Sequence, residues 1–281
     1  MNWIFFALVN VVAISIASLY QKMAMREEKS DPIVSAIVFQ LLTGVCYAVF
    51  AWYKGFNLPS VSLVPYFIGT MILYAAGTIF FFRAIKKIEA SEMSIIGGVG
   101  PINTIIASVL FLRDVFSAQQ LLGVLCIISA VVLINFKKGG IVINQGVWLA
   151  LAGTACYGIA VIFDTIIIRG FEVASFIPIG TAGTSLIMML TYPRKISHVW
   201  KALIYVEKNL LIYSLLYAMA GITFYTAIFT GALVGQVSTV VRSSIILTVI
   251  LSTVFLGERE GLIKKIIGAI LTTVGVILVS Q

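Results

Sequence analysis

GQVSTVVRSSIILTVILSTVFLG, residues 235–257, carries no charge except Arg242. At 1.5 Å per helical residue, roughly 20 residues cross the ~30 Å hydrocarbon core of a bilayer. The stretch therefore reads as a membrane span with a guanidinium inside it. Comparable apolar runs lie on either side, at 3–22, 33–53, 64–85, 92–112, 118–136, 146–168, 173–192, 209–230 and 262–280, which with 235–256 makes ten. Composition agrees: 60% of the 281 residues are hydrophobic, 11% are charged and mean hydropathy is +1.09, outside the range of soluble domains. The runs are continuous and do not alternate, so the expectation is an all-α polytopic membrane protein and not a β-barrel. The first run lacks a basic leader and a small-residue cleavage site and is read as a retained span.

Several function classes fall away on the same evidence. The connections are too short for a soluble domain, and no phosphate-binding glycine loop ending in Lys-Ser/Thr supplies an ATP site. The formal charge of +8 could suit nucleic acid, but the basic residues flank spans in short connections and read as headgroup anchors. Cys46, Cys126 and Cys156 lie inside spans without disulfide or metal spacing, so no metal or cofactor is expected. An intramembrane enzyme would need a nucleophile with its base or a metal cluster. The single histidine, His198, lies in the 193–208 connection, and the chain is not expected to be an enzyme. A membrane assembly protein without a transport path stays open as a rival class.

The chain also repeats itself. Residues 82–134 align with 225–278 at an offset of 143 to 145, and Trp3 and Trp148 open the first span of each half. Both copies end a span with Phe-Leu, place an acidic residue two positions on (Asp114, Glu258), and start a final glycine-bearing span after a short basic turn. Five spans per copy is an odd number, so the second copy must enter from the opposite face. The expected organisation is two inverted five-helix repeats, 1–138 and 146–281, joined by 139–145, a symmetry associated with alternating access around a midplane site.

Ala84 and Ala227, the Gly100-Pro101 span and Phe255-Leu256-Gly257-Glu258 before a glycine-bearing last span together resemble the drug/metabolite transporter superfamily, in particular its ten-helix, two-repeat EamA-type members. The resemblance covers nearly the whole chain. It implies a small-molecule carrier, in many members an exporter of amino acids or other metabolites, in a plasma membrane such as the bacterial inner membrane; an uptake permease or exchanger of the same fold is the alternative within that class. Two positions depart from the family pattern: Arg113-Asp114 stands for Gly-Glu in the first copy, and the second copy has no proline matching Pro101.

A charge in a span is usually turned towards protein or a watery cavity and paired, so Arg242 needs a partner. On the expected topology Arg242 lies about 10 Å and Asp164 about 7 Å below the face where the chain begins. We expect them to face each other across a cavity, Arg242 held by Asp164 or by a substrate carboxylate that competes for it. A mere packing lock between two helices is the other reading of the pair. Ser238 and Tyr157 extend each charge into a polar stripe. On the first span Ser15, Ser18 and Lys22 form another; Lys22 matches a lysine common in the family and also fits headgroup snorkelling. Glu92, behind Ser91, is a candidate proton carrier after Asp164, or a helix-start carboxylate.

Gly97-Gly98-Val99-Gly100-Pro101 should kink or open the fourth span and expose backbone to the site, or provide close helix contact. Gly98 or Val99 falls opposite Arg242 in the second copy. Tyr74 aligns with Tyr217, and Tyr213, Tyr217 and Tyr225 share one side of the eighth span; these are packing aromatics or cavity walls, with hydroxyls that need partners. Gln40 and Asn103 are interhelical bonds or cavity groups. The expected partners are a small-molecule substrate, the lipid bilayer and coupling protons. Basic residues concentrate on the face opposite the termini, which puts the termini outside, whereas the resemblance implies termini inside.

Overall fold

The computed structural model describes residues 2–26, 30–100, 102–103, 106, 117–137, 140–141, 143–232 and 234–279; the side chains at 137, 140, 141, 234, 235, 238 and 239 are not among those described. Helices dominate, as they must where lipid offers the backbone no hydrogen-bond partners. In chain order they are α1 (Trp3–Arg26), α2 (Pro32–Lys54), α3 (Val64–Ile85), α4 (Ala90–Gly97), α5 (Ala118–Asn135), α6 (Gln145–Gly170), α7 (Val173–Thr191), α8 (Ile196–Ile204), α9 (Lys208–Phe229), α10 (Val234–Val241), α11 (Ser244–Leu251) and α12 (Leu262–Val279). Among the described residues, eight of these are long and apolar enough to cross a membrane. The chain is an integral membrane protein. Two-residue strands at Phe136–Lys137 and Gly140–Ile141 pair antiparallel.

Local chemistry sets the helix starts. Asp31 accepts from the amides of Ile33 and Val34 and is followed by Pro32 at the first helical position of α2. Ser117 and Gln120 form a reciprocal capping box at α5, Asn144 accepts from Val147 N at α6, and Glu207 accepts from Asn209 N and Leu210 N at α9. Such caps satisfy amide donors that the first helical turn leaves free.

The stretch expected as the ninth span is not one helix. It runs as α10, a tight turn at Arg242–Ser243, α11, and a wider π turn over Ser252–Leu256. At the matching place in the first half, α4 stops at Gly97 and tightens through Gly98–Val99. Both interruptions use three-residue bonds: Gly98 N to Ile95 O at 3.1 Å and Val99 N to Ile96 O at 2.9 Å, against Ser243 N to Val240 O and Ile245 N to Arg242 O, both at 3.1 Å. The second copy therefore tightens without a proline. Pro101 itself, and Asp114, lie outside the described residues.

Packing runs mainly between the two parts of the chain. α1 lies on α9 and α3 on α6, so the first long helix of each part meets the third of the other; α2 packs on α7, and α5 on α12. The motif Phe255-Leu256-Gly257-Glu258 gains a physical role here. Gly257 adopts φ 70°, ψ 23°, a left-handed conformation that costs glycine little. Beyond it the Glu258 carboxylate accepts from Ala90 N at 2.9 Å, Ser91 N at 3.0 Å and Ser91 Oγ at 2.7 Å, capping α4 from the far part of the chain. Lys265 pairs with Glu89, and Arg26 donates to Leu256 O at 2.9 Å. One end of the bundle is thus tied through buried polar bonds.

The α5–α12 contact is backbone on backbone. A Cβ at Gly275 would lie 2.7 Å from Gly123 O, and one at Gly123 would lie 2.6 Å from Gly275 O. We predict that Gly275→Ala pushes the two helices apart and costs about 1–3 kcal/mol, read as a lowered unfolding midpoint of the detergent-solubilised protein; an unchanged midpoint would contradict this contact.

Candidate functional site

Two cavities lie inside the bundle, of about 320 and 290 Å³. Ile14, Phe39, Tyr157 and Tyr217 line both and form an aromatic layer common to them. Tyr217 of this layer stands 143 positions after Tyr74 (217 − 74), its counterpart in the first copy of the repeat. Helix contacts fix these rings. Tyr157 lies against Gly77, where an added Cβ would be 2.8 Å from its ring. It stacks on Phe81 at 4.9 Å and meets Tyr74 edge-on at 5.0 Å. Phe39 stacks on Tyr213 at 4.6 Å and meets Tyr217 edge-on at 5.0 Å.

The first cavity contains Asp164. Its carboxylate accepts from Thr70 Oγ1 at 2.5 Å and from the Tyr74 hydroxyl. Gln40 Nε2 donates to Thr78 Oγ1 at 3.1 Å, and Thr78 Oγ1 shares a 2.8 Å bond with the Tyr157 hydroxyl. Thr70, Tyr74 and Thr78 follow one another at four-residue steps, a polar stripe on α3 turned towards α6. Of the residues expected at the site, Gln40, Tyr74, Tyr157, Asp164, Tyr217 and Tyr225 line this cavity. Asn10 and Thr43, which the sequence did not single out, line it as well, and Asn10 Oδ1 and Thr43 Oγ1 are buried there without partners.

The second cavity contains Arg242, with Ser18, Gly98, Tyr157 and Tyr217 among its walls. Arg242 Nε is buried and has no hydrogen-bond partner, and among the described residues no carboxylate pairs with this guanidinium. The expected Arg242–Asp164 pair is not formed, because the α3 stripe supplies Asp164 with two hydroxyl donors while Arg242 opens onto the other cavity. Ser15 donates to Val11 O at 2.7 Å and to Ser244 O at 3.2 Å, joining α1 to α11 just beyond Arg242. Ser238 lies on α10 one turn before Arg242, and its side chain is not among those described.

Three expected site residues stand elsewhere. Lys22 lines neither cavity; its Nζ donates to Ile85 O at 2.7 Å and Ile88 O at 2.5 Å, satisfying carbonyls at the end of α3 where a cation suits the helix dipole. Glu92 belongs to the capping box of α4, accepting from Glu89 N at 3.4 Å, and lines neither cavity. Asn103 donates to Thr154 Oγ1 at 3.3 Å and lines neither cavity.

The EamA-like transporter family matches residues 1–136 and again residues 144–281. The chain belongs to the EamA-like transporter family. It is a membrane transporter of the drug/metabolite transporter type. An uncharacterized protein of Methanocaldococcus jannaschii, MJ1333.1, is 23% identical over 111 residues, 39% of this chain and 81% of that relative. A solved crystal structure superposes at a TM-score of 0.56 with 15% identity, covering 98% of this chain and 94% of the other; at that identity the likeness shows the fold alone.

The placement of Lys22 gives a test. Hydrogen bonds from a charged group contribute about 1.5–3 kcal/mol, so we predict that Lys22→Met lowers the unfolding midpoint while ligand binding by the folded fraction is retained. A variant of unchanged stability that binds no ligand would return Lys22 to the site.

Proposed function

We propose that this EamA-family chain is a secondary carrier, acting as an exporter of small polar or amphipathic metabolites across a plasma membrane such as the bacterial inner membrane. On this reading ten spans form two inverted five-helix units, 1–138 and 146–281, with 139–145 between them. The aromatic layer closes one cavity from the other, and alternating access moves the substrate past it. The helix packing, in which each unit's first and third helices exchange partners with the other's, supports the two-unit reading. The paired interruptions at Gly98–Val99 and Arg242–Ser243 support it too.

The observation that carries the proposal is Arg242. A half-buried guanidinium on the wall of a cavity, its Nε buried and without a partner among the described residues, suits an incoming anionic group, because a planar fork of donors matches a carboxylate in two bonds. The substrate reading is an amino-acid-like or other carboxylate-bearing metabolite, its apolar part against Tyr157, Tyr217 and Phe39. Asp164 is the proposed proton carrier, a carboxylate facing the first cavity with its partners confined to α3. Glu92, as a helix cap, has no part in coupling on this reading.

Proteoliposomes screened with radiolabelled amino acids, other carboxylates, amines, nucleosides and sugars test this directly. We expect a carboxylate to be transported and Arg242→Leu to weaken it by roughly a hundredfold, the scale of removing one partner of a buried charge pair. Asp164→Asn is expected to remove the dependence of transport on a proton gradient. Transport of the same compound at an unchanged rate by Arg242→Leu would overturn the assignment.

A further inference from the structure

Between α7 and α9 the chain does not turn tightly. It makes a short helical turn at Pro193–Lys195 and then the nine-residue helix α8, ISHVWKALI. Nine residues reach about 13 Å, under half of a hydrocarbon core, so α8 does not cross the membrane. Val199, 1% exposed, packs in the cluster that holds Ala24, Met25, Ile33, Val34 and Leu210. Lys195 pairs with Asp31 at the first turn of α2. Both ties fix α8 at the end of the bundle, beside the starts of α2 and α9.

Its outer side is unusual for a connection. Trp200, Ile204 and Tyr205 are 61%, 72% and 84% exposed. Arg194, Lys201 and Lys208 are exposed around them, and among the described residues no acidic side chain pairs with any of the three. The nearby carboxylates are committed elsewhere: Asp31 to Lys195 and the α2 amides, Glu207 to Asn209 N and Leu210 N. The segment's three unpaired cations outnumber its one carboxylate without an ion pair, Glu207, so its balance is positive, and it borders a large aromatic and an aliphatic side chain. Tryptophan and tyrosine belong at the headgroup level of a bilayer, and a short basic amphipathic helix lies in that plane.

We propose that α8 and its flanking turns form a surface site for anionic phospholipid. Trp200 and Ile204 enter the boundary between headgroups and acyl chains, and Arg194, Lys201 and Lys208 hold the lipid phosphates. The proposal concerns the segment's affinity for one lipid charge class and does not depend on what the cavities carry.

Brominated lipids test it by contact quenching of tryptophan. In a background with Trp3→Phe, Trp52→Phe and Trp148→Phe, the emission of Trp200 is measured in vesicles that contain brominated phosphatidylglycerol or brominated phosphatidylcholine at equal mole fraction. Stronger quenching by the anionic lipid is expected, and each of Arg194→Gln, Lys201→Gln and Lys208→Gln should weaken that preference by about fivefold, with Lys201→Arg restoring it. Free glycerol phosphate should not displace the lipid. Equal quenching by the two lipids, no quenching by either, a preference that survives the triple variant, or displacement by glycerol phosphate, which would mark a plain anion site, each overturns the proposal.

Discussion

A guanidinium inside the bundle, with no carboxylate among the described residues to hold it, is the constraint on which the rest of this molecule turns. On insertion scales an arginine near the bilayer centre costs roughly 2.5–3.5 kcal/mol even when it can adapt. Arg242 is half-buried, its Nε is buried and unpartnered among the described residues, and it opens onto a cavity of about 290 Å³. A solid, fully packed core could not keep it there. The hollow has to exist, the helix around Arg242 has to tighten to present it, and the neighbouring rings of Tyr157 and Tyr217 have to leave space beside it.

The ends of the bundle answer the opposite demand. Lys22, Arg26 and Glu258 spend their charges on backbone groups at helix ends, where amides and carbonyls would otherwise go unsatisfied, and Lys265 pairs with Glu89. Several of these bonds join distant parts of the chain: Glu258 caps α4, and Arg26 reaches the π turn before Gly257.

How much of this could be read from the sequence depended on the range of the signal. Eight long apolar helices among the described residues were legible because lipid demands about twenty apolar residues in a row, and the repeat because Trp3 and Trp148 and the two Phe-Leu-acidic motifs recur at offsets of 145 and 144. The places of Tyr157 and Asp164 on a cavity wall followed from polar residues standing out on apolar helices, whereas the sequence leaves Tyr74 and Tyr217 open between packing and wall. The pairing of Arg242 with Asp164 did not follow, since depth along two helices says nothing about which neighbour supplies donors first. Thr70 and Thr78 carried a visible signal, four-residue steps from Tyr74, that threonine's ordinary presence in membrane helices concealed. The interruption at Arg242–Ser243 has no proline or glycine to announce it. Glu258 reads as a surface turn until its carboxylate is seen at the start of a helix some 170 positions earlier, and α8 is too short for its pattern to rise above a connection.

The central claim is that the two cavities are the opposite approaches to one path, closed by the layer of Ile14, Phe39, Tyr157 and Tyr217. Site-directed thiol labelling measures this most directly. With Cys46, Cys126 and Cys156 replaced by alanine, Thr181→Cys in the first cavity and Ser94→Cys in the second are exposed to a membrane-impermeant maleimide added to one side of sealed vesicles at a time. The account predicts that each position is labelled from one side, and that the sides are opposite. Labelling of both positions from the same side, or of neither from any side, would contradict it.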